Sequence, residues 1–491
     1  MSTPVDDLAD GTADGWAAPT PAAPVHATVR LPGSKSLTNR YLVLAALADE
    51  PSRLRAPLRS RDTLLMAEAL RRLGARVEDG PGAAGEVPDW LVTPIPRPDP
   101  DTDPDPQEPV EVDCGLAGTV MRFLPAVVAV SGRSARLSGD PRLHERPVAP
   151  LLQALRDAGA HVTDTAGSFP ATVHASRLPR GGEVTLDAGE SSQFLSGLLL
   201  AGARMRDGLT VRHVGATVPS RPHIAMTVEN LRDVGVVVDD STDLVWRIEP
   251  GPVGGLDVDV EPDLSNAGPF LAAALATGGQ VRVPGWPQQT TQAGDTLRDI
   301  LDAMGADVRL DHDGLTVTHE GDVYGVDLDL SDAGEIAPTV VGLAVLATSP
   351  SRLRGIGHLR GHETDRLEAL AAEVRGLGGE VEVLPDGLRI TPRPLHGGRW
   401  HSYADHRMAT TGAVVGLRVP GVVVEDIGTT AKTLPDFPGM WSAMLGPDAG
   451  GAVAGPDHAA GPDHAAGPDH AAGPDHAAGP DHAAGPDRSA D

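Results

Sequence analysis

Two short patterns alternate along this chain, and no other feature restricts its fold as tightly. The first is an apolar helix built of small residues, a glycine-rich or polar break, and a short Val/Leu/Arg strand. It starts near Asn39, Gly118, Ser192, Ala267, Ala337 and Arg407, so successive starts lie 70 to 79 residues apart. The second falls between copies of the first. It is an amphipathic helix that ends at glycine and runs directly into a strand: Leu70-Arg-Arg-Leu-Gly-Ala-Arg-Val77, Leu155-Arg-Asp-Ala-Gly-Ala-His-Val162, Leu231-Arg-Asp-Val-Gly-Val-Val-Val238, Leu301-Asp-Ala-Met-Gly-Ala-Asp-Val308 and Val374-Arg-Gly-Leu-Gly-Gly-Glu-Val381. A shorter copy, Phe437-Pro-Gly-Met-Trp-Ser-Ala-Met-Leu-Gly446, closes the series. Apolar residues three apart make one helical face, and a glycine just after them is a C-cap signal. Leu-x-x-Leu-Gly alone is an ordinary helix end; six ordered alternations are not. A unit of this length is too long for a solenoid repeat. It predicts a small β-α-β-α-β-β fold used six times, arranged as two domains of three, with the chain crossing between them near Val258–Asp263.

Leu31-Pro-Gly-Ser-Lys-Ser-Leu-Thr-Asn-Arg40 opens the first unit. It gathers hydroxyls, the Lys35 ammonium and the Arg40 guanidinium at the start of an apolar helix, Tyr41–Leu47. Unpaired N–H groups and the helix dipole favour an anion there. An ordinary turn and helix cap would read the same way. The segment lacks the first glycine of a Walker A loop, which disfavours a P-loop kinase. The later units start at comparable clusters: Gly115-Leu-Ala-Gly-Thr119 with Arg122, Ser191-Ser-Gln-Phe194, Asp263-Leu-Ser-Asn266, Asp332-Ala-Gly-Glu335 and Asp405-His-Arg407. Further charged stretches are His144-Glu-Arg-Pro147, His362-Glu-Thr-Asp-Arg366 and Thr430-Ala-Lys-Thr433. Each has a bland alternative as a tight turn, an N-cap, a capping box or a surface ion pair. Their order is the signal. Related units can aim all six helix starts at one cleft, where Lys35, Arg40, Arg122, Arg146, Arg366, Arg407 and Lys432 would surround a multiply negative ligand.

The global charge runs the other way, 40 basic against 68 acidic residues among 491, a net −28. That balance disfavours nucleic acid and anionic membranes as partners without excluding anionic small molecules. Cys114 is the only cysteine, so no intrachain disulfide forms and a reducing cytoplasm is the expected compartment. Residues 1–22 carry Asp6, Asp7, Asp10 and Asp14 with no basic residue before His26; they read as a disordered leader, not a secretory or transit signal. No run of apolar residues is long enough to span a membrane. Pro94-Ile-Pro-Arg-Pro-Asp-Pro-Asp-Thr-Asp-Pro-Asp-Pro-Gln-Glu-Pro109 reads as an extended surface insertion. From residue 447 to 491 the chain is low in complexity, with Gly-Pro-Asp-His-Ala-Ala five times from Gly455, and reads as a solvated extension. The expected division is 34–260 for the N-terminal domain, and 23–33 plus 261–446 for the C-terminal one.

Taken together, Gly33-Ser-Lys-Ser36, Gly115-Leu-Ala-Gly-Thr-Val-Met-Arg122, Glu145-Arg-Pro147, Ser191-Ser-Gln-Phe194, Glu363-Thr-Asp-Arg-Leu367, Asp405-His-Arg-Met408 and Lys432-Thr433 resemble the motifs of the 5-enolpyruvylshikimate-3-phosphate synthase family. The resemblance runs from about Val25 to Leu445. It implies an α/β, two-domain enolpyruvyl transferase fold with three β-α-β-α-β-β units per domain in pseudo-three-fold arrangement, and an active site in the interdomain cleft. It also implies transfer of the enolpyruvyl group of phosphoenolpyruvate to the 5-hydroxyl of shikimate 3-phosphate, with no metal or other cofactor. By position, Lys35, Ser36, Arg40, Ser191, Ser192, Gln193, Ser220, Glu335 and His362 would hold shikimate 3-phosphate. Lys35, Gly118, Arg146, Gln193, Arg366, Arg407 and Lys432 would hold phosphoenolpyruvate. Glu335, Glu363 and Lys35 would be catalytic. The chain departs from the commonest family pattern at Leu116 (Asn), Phe123 (Pro), His362 (Lys) and Glu335 (Asp). A monomer binding only these small molecules is expected.

A sister enzyme moves the same group onto UDP-N-acetylglucosamine and usually needs a cysteine on a mobile loop. Cys114, beside the Gly-Leu-Ala-Gly turn, is a poor match for it. A non-catalytic acidic scaffold that uses its histidine-bearing tail for partners is the alternative from another class.

Overall fold

The second unit shows how the repeat is built. A strand, Val110–Asp113, leads into the helix Gly118–Ser131, the strand Ala135–Ser138, the helix Ala149–Asp157, and the strands His161–Thr165 and Ser168–His174. The first two strands pair in parallel, and Ala135–Ser138 and His161–Thr165 each pair antiparallel with Ser168–His174. Parallel pairing needs a crossover, which the first helix supplies. The same four-stranded order recurs in the units that begin with the helices Lys35–Leu47, Ser192–Gly202, Leu264–Thr277 and Ala337–Ala344. The last unit, around the helix His406–Gly416, keeps a three-stranded sheet. The computed structural model describes residues 15–82, 87–99, 108–174, 177–215 and 217–446. The tail expectation for 447–491 lies outside these, as does most of the leader.

Helices of the first pattern are buried on nearly every side. In Lys35–Leu47 every residue from Leu37 onward is buried, and in Gly118–Ser131 every residue from Thr119 onward. This is why their sequences are apolar without a polar stripe. They pack closely enough to need small residues: a Cβ on Gly197 would stand 2.2 Å from the Arg122 carbonyl. Helices of the second pattern keep an exposed face. The glycines that follow them, Gly74, Gly159, Gly235, Gly305 and Gly378, all have positive φ, the left-handed cap that the sequence predicted.

Three strands are lent between distant units. Asp257–Asp259 completes the sheet of the first unit beside Ser52–Arg55, and His26–Thr28 completes that of the fourth beside Gln280–Pro284. Trp16–Ala17 pairs with Val422–Val424 in the last. Residues 15–22 are therefore part of the fold, which corrects the expected end of the leader: Trp16 packs edge-on against Phe437, and Ala18 is buried. The buried apolar side chains form two clusters, one from Leu37 to Val260, the other from Ala18, Val25 and Val29 together with residues between Leu264 and Met444. The chain passes between the two halves along adjacent segments. There Ser34 N–H donates to the Glu261 carbonyl at 2.7 Å, and Asp263 N–H to that of Pro32 at 3.0 Å. No helix among the described residues is long and apolar enough to cross a membrane.

Candidate active site

Between the halves lies a polar cavity of about 650 Å³, counted to its open mouth. The starts of the buried helices supply its walls: Lys35 and Gly118 are first residues of theirs, Ser191 is an N-cap, Glu335 sits in the short 3₁₀ turn ahead of Ala337–Ala344, and Arg407 follows the N-cap Asp405. Single 3₁₀ turns, Pro141–Glu145, Gly357–Gly361 and Ile427–Lys432, deliver Arg146, His362 with Glu363, and Lys432. Five of the six helix starts therefore face the cavity. The fourth does not, contrary to expectation. Asp263 stands at the crossing between halves, where its carboxylate accepts from the N–H groups of Lys35 (3.1 Å) and Asn266 (3.0 Å). That start is used to join the halves.

Of the residues assigned by resemblance, the cavity gathers Lys35, Gly118, Arg146, Ser191, Ser192, Gln193, Ser220, Glu335, His362, Glu363, Arg366, Arg407 and Lys432. Ser36 and Arg40 are not among its lining residues. Five residues of helix turn a side chain by about 140° from Lys35, which aims Arg40 into the protein. Its guanidinium donates to Thr227 Oγ1 (2.8 Å), the Ser36 carbonyl (3.0 Å), the His223 carbonyl (2.9 Å) and Ser196 Oγ (3.3 Å). It lies over the Phe123 ring at 5.3 Å, and burial pulls it down to about 9. This gives Phe123 its place: it is fully buried under Arg40. Leu116 contributes its carbonyl, which accepts from Arg146 Nη1 at 3.1 Å.

Two of the acids lining the cavity, Glu335 and Glu363, are paired with its cations. Arg407 Nη2 lies 3.2 Å from Glu335 Oε2, while its Nη1 donates to the Ser265 carbonyl at 2.8 Å. Glu363 bonds Lys432 Nζ through Oε1 and Arg366 Nη2 through Oε2 at 2.8 Å. Arg366 in turn grips Asp405 with two bonds, Nε to Oδ2 at 2.7 Å and Nη2 to Oδ1 at 3.1 Å. Burial works to raise both glutamates, but the cations win. Arg407, Lys35 and Arg366 hold Glu335 well below the usual carboxylate range; Lys432, Arg366 and Arg146 do the same for Glu363.

Sequence reasoning left several cavity residues without a role: Asp62, Thr119, Glu190, His223, His358 and His406; Arg122, expected among the surrounding cations, does line the cavity. Arg122 and His406 stand inside quoted motifs, and Arg122 Nη1 fixes Gln193 by donating to its Oε1 at 3.0 Å. Asp62 reads as a first-turn acid of an outer helix, and His358 carries no signal of its own.

Two expectations follow from this geometry. A Cβ on Gly118 would come within 3.0 Å of Arg146 Nη2 and 3.3 Å of Arg122 Nη1. Gly118→Ala should therefore displace those guanidinium groups and raise KM for an anionic substrate held by them more than it lowers kcat; an unchanged KM would contradict this. The second concerns acid. Burial pulls His223 to about 4 and holds His358, His362 and His406 below the ordinary histidine value. In the unfolded chain they take up protons near pH 6.5 that the folded chain does not, so stability falls as pH drops below that point. The urea midpoint should be lower at pH 5.5 than at 7.5, and replacing His406 by Gln should lessen the difference.

Comparison with known proteins gives the family. Residues 19–441 match the family model EPSP synthase (3-phosphoshikimate 1-carboxyvinyltransferase). The chain belongs to the EPSP synthase family. A 3-phosphoshikimate 1-carboxyvinyltransferase of Kocuria rhizophila is 55% identical over 436 residues, 88% of this chain and 97% of that protein. Among solved structures, EPSP synthase from Acinetobacter baumannii superposes with a TM-score of 0.72 at 23% identity, covering 87% of this chain and 97% of that one. The enolpyruvyl transferase NikO from Streptomyces tendae gives 0.67 at 20% identity, covering 88% and 97%. These likenesses establish the two-domain enolpyruvyl transferase fold, and family membership makes the chain a transferase. The UDP-N-acetylglucosamine alternative is not favoured. Cys114 is fully buried in the first core, where burial pushes its thiol up, unlike a nucleophile on a mobile loop.

Proposed function

We propose that this chain transfers the enolpyruvyl group of phosphoenolpyruvate to the 5-hydroxyl of shikimate 3-phosphate and releases inorganic phosphate. One observation carries the reading most directly: Lys35, Arg146, Arg366, Arg407 and Lys432, brought from distant parts of the chain, meet Glu335 and Glu363 in one cavity. Arginines bind phosphate and carboxylate groups through paired, charge-assisted hydrogen bonds. Lys35, Ser191, Ser192, Ser220 and His362 are assigned to shikimate 3-phosphate, with Gln193 between the two substrates. Gly118, Arg146, Arg366, Arg407 and Lys432 are assigned to phosphoenolpyruvate. Arg40 acts from beneath the floor, through the His223 carbonyl that it holds.

The reaction needs two carboxylates. Glu335 accepts the proton of the 5-hydroxyl as its oxygen bonds to C2 of phosphoenolpyruvate, while C3 gains a proton. C3 then gives up a proton, the bond from C2 to the phosphate oxygen breaks, and phosphate departs with that electron pair. Glu363 and Lys35 serve the proton traffic at C3. Bound anions compete for Arg407, Lys432 and Arg366, the cations that hold both acids down, so binding itself raises their basicity. The two halves close on the substrates as domains 34–260 and 15–33 plus 261–446, bending where Pro32–Ser34 runs beside Glu261–Asp263, and this excludes water. The enzyme works as a cytoplasmic monomer.

The direct test is to mix the protein with shikimate 3-phosphate and phosphoenolpyruvate without added metal, follow phosphate, and weigh the product. Phosphate release only when UDP-N-acetylglucosamine replaces shikimate 3-phosphate would defeat the reading.

A further inference from the structure

The proposed mechanism leaves the imidazole of His223 unused, although the residue lines the cavity. It belongs to the first half, near the start of the helix Arg221–Asp233, and its Nε2 lies 4.0 Å from Oε1 of Glu335 in the second half. Two contacts clamp these segments across the cleft. Ser220 N–H donates to the Ser331 carbonyl at 3.0 Å, and Arg221 N–H to Asp332 Oδ1 at 3.2 Å. Ser220 takes φ 54° and ψ 48°, a left-handed conformation that a non-glycine residue keeps only where its surroundings enforce it. The main chain of His223 is fixed as well: its carbonyl accepts from Arg40 Nη2 and Thr227 Oγ1, both at 2.9 Å. The two oxygens of Glu335 are thus divided, Oε2 toward Arg407 and Oε1 toward His223.

We infer that His223 is a positioning residue for Glu335, its Nε2–H holding Oε1 while the carboxylate takes the hydroxyl proton. The inference rests on the assignment of Glu335 as base in the transfer proposed above. Arg407 cannot be the fixed partner, because phosphoenolpyruvate claims its guanidinium. A neutral ring suits the role, since another cation would weaken the base. The groups facing the ring are Glu335, Lys35 and Arg40 of the helix Lys35–Leu47, and Arg407. Burial lowers the imidazole, the three cations add to that, and Glu335 opposes them. At 4.0 Å the contact is longer than a hydrogen bond, and such contacts tighten when substrates bind.

The test is steady-state kinetics across pH on wild type, His223→Ala and His223→Gln. His223→Ala should lower kcat by about tenfold or more and move the acid limb of its pH profile upward, because the carboxylate loses a donor. His223→Gln keeps an N–H at similar reach and should restore most of the rate and the limb. An alanine variant within about twofold of wild type, an acid limb that does not move, or a glutamine variant as slow as alanine each overturns the inference. If the alanine variant does not fold, the glutamine variant decides alone. A wild-type protein that releases no phosphate defeats the parent reading instead, independently of His223.

Discussion

Exchanging Glu335 for alanine is expected to lower kcat by about 10²–10⁴-fold, the usual contribution of a positioned general base, while thermal unfolding stays near that of wild type. Among the described residues the side chain hydrogen-bonds only Arg407, and Arg407 keeps its second hold on the Ser265 carbonyl. Removing the carboxylate therefore leaves the floor of the cavity in place. The loss should fall on kcat more than on either KM, because proton acceptance develops in the transition state and not in the ground state. Single-turnover phosphate release separates chemistry from product departure. Lys35→Met should be comparably slow, since it removes the one ammonium at the start of the first buried helix. Near-normal rates in both variants would mean that the reacting centre lies elsewhere in the cleft.

Much of the fold was legible because its signals are local. Small apolar helices, amphipathic helices and their glycine caps each announce themselves within a dozen residues or so. The lent strands left no such trace. Pairing of Asp257–Asp259 with Ser52–Arg55, or of His26–Thr28 with Gln280–Pro284, joins residues some two hundred or more apart, and a three-residue strand has too little pattern to declare its partner. The same limit applies at the site. Lys35, Arg366 and Arg407 stand where helices begin and could be placed by that fact. Arg40 lies on the same helix as Lys35 but faces the opposite way, into Thr227 and Ser196, so a motif that names both cannot tell lining from support. His223 follows Ser220-Arg-Pro, which reads as a plain helix start; its nearness to Glu335 exists only once the halves meet. Asp263 failed in the other direction, resembling the remaining helix starts while serving the crossing between halves.

Asp405→Ala should cost about 3–5 kcal/mol of stability, the penalty for leaving one member of a buried ion pair uncompensated. The side chain of Asp405 is fully buried and that of Arg366 is 2% exposed, so solvent does little to screen the pair. Asp405 has a second task as N-cap, accepting from Arg407 N–H at 2.8 Å; the same substitution strips that cap, a loss of about 1 kcal/mol by itself. Glu363 offsets part of the damage, because Arg366 Nη2 also reaches its Oε2. That compensation has a functional consequence. An Arg366 that turns toward Glu363 leaves the orientation from which the proposed assignment has it bind phosphoenolpyruvate, so KM for that substrate should rise along with the loss of stability. Urea unfolding gives the first quantity and initial rates give the second. Asp405→Asn separates the two tasks: it keeps an acceptor for Arg407 N–H but not the countercharge, and should recover the cap while leaving most of the destabilisation. An alanine variant within about 1 kcal/mol of wild type would show that Arg366 finds sufficient countercharge in Glu363 alone, and the pairing scheme drawn for the cavity floor would have to be reassigned.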